Sequence, residues 1–128
     1  MSKKIIKTKH APAAIGPYSQ AVCSESLIFT SGQIAIDPNT NEFISAEIGQ
    51  ETEQTIKNII AILEADGLNL DNVVKTTVYL VDLKNFNQMN KVYETFFNKN
   101  KPARACVEVS ALPKGAKVEI DAIATRLS

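Results

Sequence analysis

The chain has 128 residues, 45% of them hydrophobic, and its 14 basic and 14 acidic side chains cancel. That length fits one domain, residues 1–128, with a core large enough to stand without a metal or a disulfide staple. The neutral balance argues against nucleic acid as a partner, since an electrostatic nucleic-acid surface carries a basic excess.

The single histidine, His10, and the two distant cysteines, Cys23 and Cys106, give no zinc-site spacing, so no metal is expected. The basic N-terminus has an apolar run of only Ile5-Ile6, too short for a secretory signal, and no stretch reaches the length of a membrane-spanning helix. The expectation is a soluble, cytoplasmic protein. A Cys23–Cys106 bridge stays open on sequence grounds, but a reducing compartment disfavours it, and Cys23 reads as a small, half-buried strand residue.

Residues 3–8 alternate weakly and predict a short first strand. The segment from Ala11 to Gln20 holds two prolines and a glycine, which predicts an ordered loop. Its Ile15 and Tyr18 call for burial. Composition favours Tyr18 as an anchor to the core over a tyrosine facing a pocket. Residues 20–24 and 27–31 predict a hairpin around Glu25-Ser26. The second strand runs into Ser31-Gly32-Gln33, where a bulge or turn is the commoner outcome. A glycine there also lets the backbone approach a neighbour closely, with free amides for an anion or carbonyl. Asp37 to Asn41 reads as a surface turn.

Apolar residues at Ile48, Ile56, Ile59, Ile60 and Leu63 fall at a helical period and predict a helix over 46–65. Ser45 is the expected N-cap, Glu47 suits the positive helix end, and Gly67 is the expected stop. Gln50, Glu53, Lys57 and Glu64 form its solvated face. Residues 73–81 predict a strand with Val74, Thr76, Val78 and Leu80 on one side. A second helix over 85–97 carries a stripe of Phe86, Met89, Tyr93 and Phe96 or Phe97, and Asn90 beside it reads as a satisfied hydrogen-bonding residue. The order of elements predicts an α+β fold, with two helices on one face of a single mixed sheet.

The chemistry concentrates in the last two strands. From Ala103 to Val109, Arg104, Cys106 and Glu108 share one face. After the Leu112-Pro113-Lys114-Gly115 turn signal, Val118, Ile120, Ala122 and Ala124 alternate with Lys117, Glu119 and Asp121. Paired as a hairpin, these strands would bring Arg104, Cys106 and Glu119 together. A guanidinium flanked by apolar residues suits bidentate binding of a carboxylate. Glu119 is either its ion-pair partner or a group that moves a proton. Cys106 ranks higher as a lining thiol than as a nucleophile, because no histidine base accompanies it. The mixed face of the sheet also suits a symmetric contact between copies.

Pro102-Ala103-Arg104-Ala105-Cys106-Val107-Glu108-Val109, then Leu112-Pro113-Lys114 and Val118-Glu119-Ile120, resemble the signature of the RidA (YjgF) family. Gly16-Pro17-Tyr18-Ser19-Gln20-Ala21 and Thr30-Ser31-Gly32-Gln33-Ile34 resemble its two N-terminal motifs, and Asn90 to Phe97 its second-helix segment. The resemblance spans essentially the whole chain. It implies a chorismate mutase-like α+β fold and a homotrimer with pockets between subunits. It also implies a cofactor-free 2-iminobutanoate/2-iminopropanoate deaminase that clears reactive imino acids as metabolite-damage control. In that reading Arg104 clamps the substrate carboxylate and Glu119 acts as general base and acid. Ser31, Gly32 and the backbone at Cys106 position the substrate, and Tyr18 and Asn90 complete the pocket. The competing reading is a non-catalytic trimer that binds 2-oxo acids or acts as a chaperone. The neutral charge weakens a ribonuclease role.

Overall fold

The computed structural model describes residues 3–127. Eight strands and two α-helices run in the order β1 (Lys3–Ile6), β2 (Ala21–Ser24), β3 (Leu27–Thr30), β4 (Ile36–Asp37), β5 (Glu42–Phe43), α1 (Ile48–Glu64), β6 (Val73–Leu80), α2 (Phe86–Phe96), β7 (Ala103–Glu108) and β8 (Val118–Thr125). Six strands form one mixed sheet in the order β1-β2-β3-β8-β6-β7, while β4 and β5 pair separately. Every neighbouring pair in the large sheet is antiparallel except β6–β7, which is parallel and joined through α2. The expected α+β arrangement is therefore present, with a small extra ribbon that the short β4 and β5 segments did not announce.

The order of strands corrects one expectation. β7 and β8 do not form a hairpin, because β6 lies between them. The reason lies in their patterns. β8 buries Val118, Ile120, Ala122 and Ala124 without a break, as a central strand does. β7 is largely exposed and follows Lys101-Pro102, whose missing N–H suits an edge.

The core lies between the sheet and the helices. Ile56, Ile59, Ile62 and Leu63 of α1 are fully buried, as are Val78, Leu80, Val118 and Ile120 of the sheet, and Met89 of α2. Each such side chain contributes about 1.5–3 kcal/mol through removal from water. The helix over 46–65 begins later than expected: Glu47, not Ser45, is the N-cap, and it makes no side-chain capping bond. Just before the helix, the Ala46 carbonyl accepts a hydrogen bond from the Lys117 ammonium at 2.8 Å. Gly67 ends the helix region at φ +78°, as its lack of a Cβ allows. In β6 a register shift between Val73 and Lys75 re-phases the strand, so Val73 is buried and Val74, expected inside, is exposed.

The opposite face of the sheet has no covering element among the described residues. Ile5, Phe29, Leu27 and Val107 lie exposed there. This also corrects the loop 11–20: Ile15 is 79% and Tyr18 53% exposed. Among the described residues no element covers them.

Candidate active site

The seven residues singled out by sequence fall into two groups on opposite faces of the sheet. Arg104 stands opposite Thr76, and Thr76 stands opposite Ala122, so Arg104 shares the helix-covered face. Glu119 stands opposite Tyr79, which stands opposite Val107, on the open face. Arg104 and Cys106 keep company with Asn90, while Glu119 keeps company with Gly32, Ser31 and Tyr18. The fold of a single chain does not bring the two groups together.

The first group is built by α2 over the edge strand. Residues 86, 90 and 93 follow i, i+4, i+7 and so share one side of the helix. Asn90 Oδ1 accepts a hydrogen bond of 2.7 Å from Arg104 Nη1. The guanidinium carbon lies 4.7 Å from the centroid of the Tyr93 ring and 5.3 Å from that of Phe86. Tyr93 is itself fixed by a 2.7 Å hydrogen bond with Thr76 Oγ1. Two aromatic faces and one amide therefore aim the charge, at a site where a lysine could not reproduce the planar contact. The helical stripe marks Phe86 and Tyr93 only as core; their spacing around Asn90 is the signal that points to this group. Cys106 is half-buried beside this group, and burial pushes its thiol above the ordinary value of 9.0, with Arg104 pulling the other way. At neutral pH it keeps its proton, which fits a lining thiol and not a nucleophile.

The second group is held by buried hydrogen bonds. Gln20 is buried; its side chain accepts from Thr8 N at 2.7 Å and donates to Thr8 O at 3.0 Å and Pro12 O at 2.7 Å. These bonds fix the start of the loop that presents Tyr18. Ser31 Oγ donates to Ser19 O at 2.6 Å, and Ser31 N to Gln20 O at 2.9 Å. Beyond β3 the chain pairs once more with β8: Gln33 N donates to Ile120 O at 2.8 Å and Ile120 N to Gln33 O at 3.0 Å. That pairing lays Gly32 directly on Glu119. A Cβ on Gly32 would stand 2.2 Å from Glu119 Oε2. The expected close approach is thus real, and it is toward Glu119. Between two bonded amides, the Gly32 N–H has no hydrogen-bond partner among the described residues.

Glu119 is half-buried, and its carboxyl is held above the ordinary 4.5, first by burial and then by the neighbouring Asp121. Beside it opens a cavity of about 240 Å³ whose lining includes Tyr18, Gly32, Gln33, Ile34, Pro113 and Lys114. Lys114 enters this rim from a turn in which its own φ is +59°. Such a cavity, with one carboxyl group of raised proton affinity and one free amide, can hold a small polar molecule and move a proton on it. Among the described residues no cluster of His, Cys, Asp and Glu could hold a metal ion.

Fold and site together define a small α+β protein with an aromatic-flanked arginine and a half-buried glutamate of raised proton affinity on separate surfaces. The Endoribonuclease L-PSP family model matches residues 8–126, and the chain belongs to that family. The human 2-iminobutanoate/2-iminopropanoate deaminase is 48% identical over 122 residues, which cover 95% of this chain and 89% of the human protein. Two Escherichia coli structures superpose closely. The YjgF gene product does so at a TM-score of 0.92 and 48% identity, covering 96% of this chain and 98% of its own. TdcF with bound serine gives 0.91 and 44%, with the same coverage of 96% and 98%. The resemblance read from the motifs is therefore borne out.

Proposed function

We infer that this chain is an imine-hydrolysing enzyme, a 2-iminobutanoate/2-iminopropanoate deaminase like its human relative. Water adds to the imine carbon, the resulting tetrahedral carbinolamine expels ammonia, and a 2-oxo acid remains. The observation that carries this reading is Glu119, a half-buried carboxyl of raised proton affinity set against the free Gly32 amide at the cavity edge. As base it takes a proton from the attacking water, and as acid it returns one to the departing nitrogen; such transfer contributes about 10²–10⁴-fold. No cofactor is needed, because the imine carbon is already electrophilic.

Arg104 supplies the clamp for the substrate carboxylate, with two parallel hydrogen bonds available from its guanidinium. Asn90 acts by holding Arg104 in place, and Cys106 lines the pocket. Ser31 acts by fixing the loop that brings Tyr18 to the cavity. Because Arg104 and Glu119 face opposite sides, the working site forms between copies: β7 of one protomer lies beside Gly32 and Glu119 of another. A homotrimer closes such contacts in a ring and covers the exposed Phe29 and Val107. No helix among the described residues is long and apolar enough to cross a membrane, and both cysteines are free, which suits removal of damaged metabolites in the cytoplasm.

The test is imine clearance. A threonine dehydratase generates 2-iminobutanoate in place, and semicarbazide traps what survives. The native chain lowers the trapped fraction, whereas Arg104→Ala and Glu119→Gln do not. Equal clearance by Arg104→Ala would falsify the assignment.

A further inference from the structure

Two residues beyond Glu119 on the same open face of β8 stands a second carboxylate, Asp121. The strand rise places the two about 7 Å apart along the backbone. Each faces a β6 residue: Glu119 is opposite Tyr79 and Asp121 opposite Thr77. The Tyr79 hydroxyl does not serve its direct partner. It reaches diagonally across the ladder and donates to Asp121 Oδ2 at 3.0 Å. Phenol, aspartate and glutamate thus form one cluster over two strands.

Among the described residues no cation lies close enough to pair with this cluster. Among the described residues neither Glu119 nor Asp121 takes part in an ion pair. On β6 the only cation of that face is Lys75, one row away, opposite Ile123. From β7 the facing residues are Ala105 and Val107, which carry no charge. Gly32 and Gln33 cover Glu119 from the β3 side, and Tyr18 and Lys114 share its cavity.

We propose that Asp121, held by the Tyr79 hydroxyl, is the positioning residue that keeps Glu119 ready to take and return a proton. Asp121 does not touch the substrate. It acts by placing a fixed negative charge near Glu119, which disfavours a second one. The hydrogen bond from Tyr79 fixes the Asp121 carboxylate on the Glu119 side of the strand, and its charge raises the affinity of Glu119 for a proton. The titration tendencies agree: Glu119 is raised by burial and then by Asp121, and Tyr79 is raised by burial and then by its bond to Asp121. This inference rests on the proton-carrying role of Glu119 proposed above.

The experiment follows the side-chain carboxyl ¹³C signals of glutamate and aspartate across pH in the full chain, for the native protein, Asp121→Asn and Tyr79→Phe. The pH profile of imine clearance is recorded beside it. Asn keeps an acceptor for Tyr79, so Asp121→Asn changes the charge without removing the bond. The expected result is a lower Glu119 midpoint in Asp121→Asn, with the Glu119-dependent limb of the rate profile moving down alongside it. In Tyr79→Phe the Asp121 carboxylate loses the hydroxyl that holds it, and the Glu119 midpoint is expected to fall part of the way toward its Asp121→Asn value. An unmoved Glu119 midpoint in Asp121→Asn overturns the proposal, whatever happens to turnover. A midpoint that falls while the rate limb stays put overturns the proton-carrying role of Glu119, and with it the purpose of the cluster.

Discussion

Arg104 and Glu119 occupy the same sheet yet point to opposite sides of it, with β6 between their strands. Neither side chain can reach the other's face within one protomer. If both serve one substrate, two copies share each site. Arg104→Ala and Glu119→Gln would each be inactive alone. Co-assembled after mild denaturation, they are expected to recover activity, because some interfaces then combine a native Arg104 with a native Glu119. In a ring of head-to-tail contacts with random mixing, about a quarter of the sites are intact. Imine clearance by the mixture, compared with either variant, is the measurement. A mixture as inactive as its parts would place both residues in a site within one chain.

The close approach of Gly32 to Glu119 makes a second test. A methyl group on Gly32 meets Glu119 Oε2 at 2.2 Å and Cδ at 2.7 Å, so the carboxylate must move. Gly32 has no positive φ, and an alanine meets no backbone strain there. Gly32→Ala is therefore expected to lose about 10²-fold or more in kcat, the scale of misplaced proton transfer. Its urea midpoint should stay near that of the native chain. A large fall in stability with normal turnover of the folded fraction would show that Gly32 serves folding instead.

Much of this site was legible in the sequence, and the failures have physical causes. The alternation of residues 103–109 and 118–124 identified which side chains share a face on each strand. It carried no information on which strands are neighbours, because pairing depends on β6 entering between them. Tyr18 illustrates a similar gap. Its ring calls for burial, and a sequence cannot say that the burying surface is absent from the protomer. Val74 was misassigned because a bulge costs one residue of phase and leaves no mark in the pattern. Glu51 lay hidden among the polar residues of α1, and only the tertiary contact with Lys117 explains its burial.

That contact gives a stability prediction. Glu51 is 0% exposed and accepts hydrogen bonds from Lys117 N at 2.9 Å and Lys117 Nζ at 3.2 Å. It ties α1 to the start of β8, two residues before Glu119. Glu51→Ala leaves a cavity and an unpaired backbone N–H, while the Lys117 ammonium can still turn to water. The expected cost is about 2–3 kcal/mol, as for lost hydrogen bonds to a charged group. Urea unfolding read by circular dichroism measures it, and a change below about 0.5 kcal/mol, the usual range for surface substitutions, would contradict the account.

The open face makes a prediction about assembly. Phe29 is 42% and Val107 43% exposed, on strands β3 and β7 of the same surface. Large apolar side chains grouped on an uncovered sheet face mark a contact site. Phe29→Asp is expected to lower the mass seen by light scattering toward that of a monomer and to abolish imine clearance with it. The helix-side core would be untouched, so far-ultraviolet circular dichroism should be retained. An assembled and active Phe29→Asp protein would remove this face from the interface.

Glu119 should also trade stability for activity, and the sign can be worked out. Its folded-state proton affinity lies above the ordinary carboxylate value, chiefly through burial. Between the unfolded and folded titration points the folded chain binds more protons than the unfolded one. Stability then falls as pH rises through that window, the reverse of a salt-bridged carboxylate. Above the window the ionised group sits in an environment that disfavours its charge. Glu119→Gln removes the charge and keeps the shape. The variant is expected to be inactive, yet more resistant to urea than the native chain at neutral pH. The advantage should shrink as pH drops through the window, where the native carboxyl regains its proton. Unfolding curves of both proteins at several pH values check this directly. A Glu119→Gln chain that is less stable at neutral pH would mean the carboxylate is stabilised by contacts with another copy of the chain, and its raised proton affinity would be lost on assembly.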